Sequence, residues 1–291
     1  MKVVLFCGGL GTRLRDYSDN LPKPLVPIGT QPILWHIMKY YAHFGHTEFI
    51  LCLGYKAEKI KDFFLNYNEY ISNDFTMTNG GQDLRLLMRS DIQSWKITFV
   101  ETGLQSNIGQ RLLQVKEHLA GEEMFLANYS DGLTDAHLPT MIETFVHTGK
   151  VATFMCCRPS QTFHVVDLKE NGLVNKLEYV RDTGLLINGG YFIFRKEIFD
   201  YMREGEELVI EPFQRLIDRD LLTGYRYNNL WSMDTFKEQQ ELTDMFNQGN
   251  APWEVWKKRE DTTTRRPAGP AEQGGAEGGV RTTLAHGMKS A

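Results

Sequence analysis

The chain has 291 residues, 42% hydrophobic content and a formal net charge of -5. That length can bury a full core in one elaborated domain with appendages. The acidic balance, with no basic stripe interleaved with aromatics, argues against a nucleic-acid partner. No apolar run approaches membrane-spanning length and no charged leader precedes an apolar one, so a cytoplasmic protein is expected.

Val3-Val4-Leu5-Phe6 reads as a short buried parallel strand. Gly8-Gly9-Leu10-Gly11-Thr12-Arg13-Leu14 follows it directly, a glycine-rich turn whose backbone N–H groups can close on an anion. Arg13, and Lys23 within Pro22-Lys23-Pro24, put two cations beside that turn, as a triphosphate needs. A dinucleotide fingerprint fits poorly, because Leu14 stands where its third glycine belongs and no acidic residue lies near position 30. A Walker loop fails for want of Gly-Lys-Ser/Thr.

Further along, apolar spacing and flanking Pro32 and Gly45 predict a helix over 32–44. Phe49 to Leu53 reads as a buried strand, and a helix is expected over 57–64. The stretch 66–92 is polar, aromatic and punctuated by Asn and Gly, which suggests an irregular insertion. A strand over 95–101, a helix over 109–119, a strand over 124–129, a helix over 138–147 and a strand over 151–157 complete the alternation. Such alternation gives a Rossmann-like α/β fold, a mostly parallel sheet flanked by helices, with ligands beyond the carboxyl ends of the strands. From 164 to 194 the pattern becomes short alternating strands, read as a small mixed sheet over one end of that domain. A helix over 211–219, a strand around 225–231 and a helix over 236–246 follow. Residues 258–291 are rich in Gly, Ala, Thr, Arg and Pro and lack aromatics, the composition of a disordered tail. Cys7, Cys52, Cys156 and Cys157 show no metal-ligand spacing and are expected as free, buried thiols; the scattered histidines carry no catalytic pattern.

Taken in order, these motifs resemble the nucleotide-sugar pyrophosphorylases, and among them the cytidylyltransferase branch. The resemblance spans roughly residues 1–256. It rests on the glycine-rich loop, Pro22-Lys23-Pro24, the stretch Pro32 to Met38, Gly54-Tyr55-Lys56, Glu101-Thr102-Gly103, and Gly109 with Arg111-Leu112. It continues through Asp131-Gly132, Ile187-Asn188-Gly189-Gly190, and Trp231 with Met233-Asp234-Thr235. What it implies is a GT-A-like domain over 1–257, the first 157 residues mainly binding nucleotide and 158–257 mainly binding an acceptor. Nucleotidyl transfer from a nucleoside triphosphate, CTP before UTP or dTTP, to a phosphorylated acceptor such as a sugar 1-phosphate would follow. Arg13 and Lys23 would be catalytic. Leu5, Gly8, Gly9, Gly11, Thr12, Gly109, Arg111 and Asp131 would join them around the nucleotide. Asp131 and Asp234 would offer Mg²⁺ the hard oxygen ligands it prefers. The family also implies a symmetric homo-oligomer, for which the aromatic stretch 63–75 could supply contacts, unless it covers its own sheet.

The acceptor side departs from the pattern. The family places Glu-Lys-Pro a few residues before Ile-Asn-Gly-Gly, its lysine gripping the sugar phosphate, whereas this chain has Glu178-Tyr179-Val180-Arg181. Tyrosine offers only a hydroxyl donor where a cation is needed. Three readings stay open: Lys176 or Arg181 reaches the phosphate, the acceptor differs, or the chain binds nucleotide without turnover. Tyr129, Lys176, Glu178, Tyr179, Arg181, Asn188 and Gly189 are the expected acceptor residues.

Overall fold

The structure is a computed structural model that describes residues 1–11, 21–87, 90, 92–160 and 162–257. Thr12 and Arg13, and the 258–291 segment expected as a tail, lie outside the described residues. The strands are β1 (Val3–Phe6), β2 (Pro27–Ile28), β3 (Gln31–Pro32), β4 (Glu48–Leu53), β5 (Phe75–Thr78), β6 (Asp83–Leu86), β7 (Lys96–Glu101) and β8 (Met124–Asn128). After them come β9 (Gly132–Thr134), β10 (Ala152–Cys157), β11 (His164–Leu168), β12 (Val174–Tyr179), β13 (Ile187–Arg195), β14 (Leu222–Arg226) and β15 (Leu230–Ser232).

Seven of these form one sheet in the order β14-β10-β13-β8-β1-β4-β7. Pairing is parallel except for β13, which runs antiparallel to both β10 and β8. Strand alternation divides the core between the two faces. Val3 and Leu5 face one cluster, with Ile33, Ile37 and Met38 of helix α1 (Ile33–His43); Val4 and Phe6 face the other, with Leu112, Val115 and Phe213. The other α-helices among the described residues are α2 (Ala57–Leu65), α3 (Ile108–Gln114), α4 (Leu138–Thr148), α5 (Glu211–Ile217) and α6 (Phe236–Asn247). All six lie where periodicity places helices, but α3 stops at Gln114, short of the expected end at 119, and Lys116–Leu119 form a separate 3-10 turn. The four cysteines are free, with Cys156 half-buried and the other three buried.

The stretch from 164 to 194 resolves into two different things. β11 and β12 pair as an exposed two-stranded hairpin, while β13 enters the centre of the main sheet. The reason lies in the run Gly189 to Phe194, buried at every position, which marks a strand covered on both faces rather than one with a wet side. The front of the aromatic stretch covers its own molecule: Phe64 packs on Phe99 at 5.8 Å, and Trp35 Nε1 donates to the Tyr67 hydroxyl at 2.8 Å. Beyond it, β5 and β6 form an exposed hairpin inside the segment read as irregular.

Candidate active site

Two acidic residues 103 positions apart meet because a short ribbon joins their neighbours. β9 pairs antiparallel with β15, Gly132 opposite Ser232. The Met233 N–H donates to the Asp131 carbonyl at 2.9 Å, so Asp131 at the entrance of β9 lies beside Asp234 at the exit of β15. Each residue is then fixed from its own side. Asn128 Oδ1 accepts the Ser130 N–H at 2.7 Å and holds Ser130 in a left-handed turn, φ 66°, immediately before Asp131. Asp234 precedes a capping box in which the Glu238 carboxylate accepts the Asp234 and Thr235 N–H groups and the Thr235 hydroxyl accepts the Glu238 N–H. Replacing Thr235 with alanine removes half of that cap. A loss of about 1 kcal/mol in stability is expected, read by urea or thermal unfolding.

Lys23 sits between the carboxylates, its Nζ 2.8 Å from Asp131 Oδ2 and 2.8 Å from Asp234 Oδ1. Burial of the ammonium pulls its pKa down, but the two negative charges and their hydrogen bonds outweigh that and raise it. Lys23 therefore stays cationic through the neutral range. The glycine loop packs on its stem. Gly11, at φ 62°, lies so close that a Cβ there would stand 3.2 Å from Lys23 Cβ. The strand order places this cluster at the carboxyl ends of β1 and β8, where an open α/β sheet collects ligands.

Two cavities meet at the cluster. One, of about 490 Å³, is lined by Tyr129, Arg158, Ser160, Asn188, Gly189 and Asp234 among others. The other, of about 310 Å³, is lined by Phe6, Ser106, Asn107, Ile108, Arg111 and Glu207 among others. Gly9, Gly11, Lys23, Tyr129 and Asp131 belong to both. The site is thus a single cleft with two lobes and a charged waist. Two reactants can lie end to end with their reacting atoms at Lys23 and Asp131.

Arg111 is 3% exposed. Its Nη1 donates to the Leu53 carbonyl at 3.1 Å and the Thr102 hydroxyl at 2.7 Å, and its Nη2 donates to the Gly8 carbonyl at 3.1 Å. It therefore ties together the chain just beyond β1, at the end of β4 and just beyond β7, under the smaller lobe. Helix α3 aims it there, started by a capping box between Asn107 and Gln110. Burial lowers its pKa, and its guanidinium bonds among the described residues go to two carbonyls and a hydroxyl.

Of the residues expected around the nucleotide, Gly9, Gly11, Lys23, Arg111 and Asp131 line the cleft. Leu5 is fully buried in β1, Gly8 contributes its carbonyl to Arg111, and Gly109 packs against the Glu206 backbone. On the acceptor side, Tyr129, Asn188 and Gly189 line the larger lobe, and Asn188 donates to the Tyr129 hydroxyl at 3.2 Å. Lys176, Glu178 and Tyr179 lie on β12 and Arg181 just after it, and none of the four lines either lobe. Arg158, Ser160 and Glu207 do, although sequence reasoning passed over them. Arg158 had one usable signal, a cation immediately after a strand that ends at the ligand edge.

Two carboxylates and a lysine below a glycine-rich loop, in a bilobal cleft of a mostly parallel sheet, define a phosphoryl-handling α/β enzyme. The nucleotidyl transferase family pattern matches residues 2–234, and the chain belongs to that family. It is 38% identical over 259 residues to a Bacillus subtilis (strain 168) protein named as a probable glucose-1-phosphate cytidylyltransferase, covering 88% of this chain and all of that one. It is 34% identical over 259 residues, with the same coverage, to the glucose-1-phosphate cytidylyltransferase of Salmonella typhimurium (strain LT2). Among solved structures, a UDP-glucose pyrophosphorylase bound to UDP-glucose shares the fold with a TM-score of 0.62 at 15% identity, over 85% of this chain and 98% of that one.

Proposed function

We propose that this nucleotidyltransferase moves a cytidylyl group from CTP to a sugar 1-phosphate, glucose 1-phosphate first among acceptors. The observation that carries this reading is the two-lobed cleft joined at Lys23 and Asp131. The names of the two cytidylyltransferase relatives support the choice of base and acceptor. A phosphate oxygen of the acceptor attacks the α-phosphorus of CTP. The bond from that phosphorus to the bridging oxygen breaks, and pyrophosphate leaves with the electron pair. The products are a CDP-sugar and pyrophosphate. Positioning and charge neutralisation supply most of the acceleration in such a transfer.

The smaller lobe would take cytidine, with the triphosphate crossing the waist beneath the glycine loop. Lys23 would neutralise the α-phosphate and the incoming oxygen, while the loop amides and Arg13 hold the β and γ phosphates. Asp131 and Asp234 would offer Mg²⁺ two hard oxygen ligands, their carboxylates each reaching the point held here by Lys23 Nζ, with phosphate oxygens and water completing the shell. Bound there, the ion would neutralise charge on the triphosphate and help to align it. Assembly as a homo-oligomer in the cytoplasm completes the reading; the exposed apolar residues Val166, Leu168, Val174 and Leu177 of the β11–β12 hairpin support self-association.

The test is pyrophosphate release from CTP, UTP, dTTP, ATP or GTP, each with Mg²⁺ and a panel of sugar phosphates. The account expects turnover with CTP and glucose 1-phosphate and none without an acceptor. Release with UTP or dTTP but not CTP overturns the base assignment. Nucleotide binding with no release for any acceptor turns the protein into a non-catalytic relative.

A further inference from the structure

A phosphate monoester entering the larger lobe needs a cation, and β12 does not present one there. Lys176 Nζ lies 2.5 Å from Glu178 Oε1, and the Arg181 guanidinium lies 4.9 Å from the Tyr179 ring centre and 4.0 Å from Asp182. Both cations are engaged on the exposed hairpin side, away from the lobe lining. The lobe has two basic side chains among the described residues, Lys23 and Arg158. Lys23 is already shared between Asp131 and Asp234.

Arg158 is held at the lobe by strand register. Cys156 pairs with Asn188 and Cys157, the last residue of β10, with Ile187, so Arg158 leaves the sheet just past the first residue of β13. It lines the same lobe as Asn188 and Gly189. β10 runs parallel to β8, both flanking β13, so it ends at the same edge of the sheet as the strand leading to Asp131. Arg158 is exposed, and among the described residues its side chain has no hydrogen-bond or ion-pair partner. Ser160, two residues on, adds a hydroxyl to the same wall. An unengaged guanidinium on the wall of a cleft is well matched to phosphate, which its planar donors grip through two parallel hydrogen bonds.

We propose that Arg158 supplies the acceptor-phosphate cation in this chain, the task that the family gives to a lysine at the position held here by Tyr179. The proposal rests on the transfer reading above and deepens it. The acceptor is a phosphate monoester, taken between Arg158 and the Lys23 waist, with Asn188 and Ser160 beside it. The nucleotide lobe does not include Arg158, so its loss acts on one substrate alone.

The experiment compares full-length wild type, Arg158→Ala and Arg158→Lys. It reads KM for glucose 1-phosphate and for CTP, and calorimetric binding of glucose 1-phosphate in the presence of Mg²⁺ and a non-hydrolysable CTP analogue. Arg158→Ala is expected to raise both KM and Kd for glucose 1-phosphate about 10- to 100-fold, with KM for CTP within about twofold. Arg158→Lys should recover part of the loss, which a merely structural role would not produce. Equal acceptor binding by wild type and Arg158→Ala overturns the assignment. So does a KM rise in Lys176→Ala or Arg181→Ala with none in Arg158→Ala. A wild type that binds no sugar phosphate overturns it together with the transfer reading. Transfer from UTP with the Arg158→Ala defect still confined to the acceptor contradicts the cytidylyl reading alone and upholds Arg158.

Discussion

Asp131→Asn and Asp234→Asn are each expected to lower kcat by about 10²- to 10³-fold, the scale of losing one preorganised electrostatic group at a reacting centre. The fold should survive. The amide has the carboxylate's volume, the β9–β15 pairing and the Met233-to-Asp131 bond are backbone interactions, and Lys23 keeps one carboxylate. Circular dichroism and thermal unfolding would verify that the variants are native, and steady-state pyrophosphate release would measure the loss. The two carboxylates act on one centre, so the double variant should fall well short of the product of the single losses. Native variants with wild-type turnover would remove both residues from the reaction.

The second large effect is predicted at Gly8. A Cβ there would lie 2.0 Å from Arg111 Nη1 and 2.4 Å from Cζ, inside any real contact. Arg111 has little room to yield, being 3% exposed and bonded to the chain at three strand ends. Gly8→Ala should displace the guanidinium and leave buried polar groups short of partners. The expected cost is about 2–3 kcal/mol of stability. The displaced side chain also lines the smaller lobe, so KM for the nucleotide should rise while KM for the acceptor stays near wild type. Arg111→Ala should reproduce the nucleotide defect. An acceptor defect in either variant would contradict the division of the cleft into two lobes.

The parts of this structure legible from sequence are those set by local pattern. A continuous apolar run followed by glycines identifies β1 and its loop, and helical spacing locates α1, α4 and α6. Motif resemblance joins Lys23, Asp131 and Asp234 into one site, a pairing that no local pattern could supply, because the β9–β15 ribbon links residues far apart in the chain. What escaped was set by topology. The run Tyr191-Phe192-Ile193-Phe194 looks the same whether it closes a small sheet or sits at the centre of a large one, and its neighbours β10 and β8 decide which. Arg158 escaped for the same reason, since the pairing of β10 with β13 turns an ordinary strand-end arginine into part of the wall of the larger lobe. Lys176 and Arg181 drew attention through their nearness in sequence to the family's lysine. The β11–β12 hairpin carries them along its exposed surface instead.

The central claim is that nucleotide and acceptor meet at the waist formed by Lys23, Asp131 and Asp234. A crystal structure of the full chain with Mg²⁺, a non-hydrolysable CTP analogue and glucose 1-phosphate tests it most directly. The account predicts the α-phosphate in contact with Lys23, the base in the lobe lined by Arg111, and the sugar phosphate in the lobe lined by Asn188. A triphosphate bound elsewhere, or both ligands competing for one lobe, would contradict it.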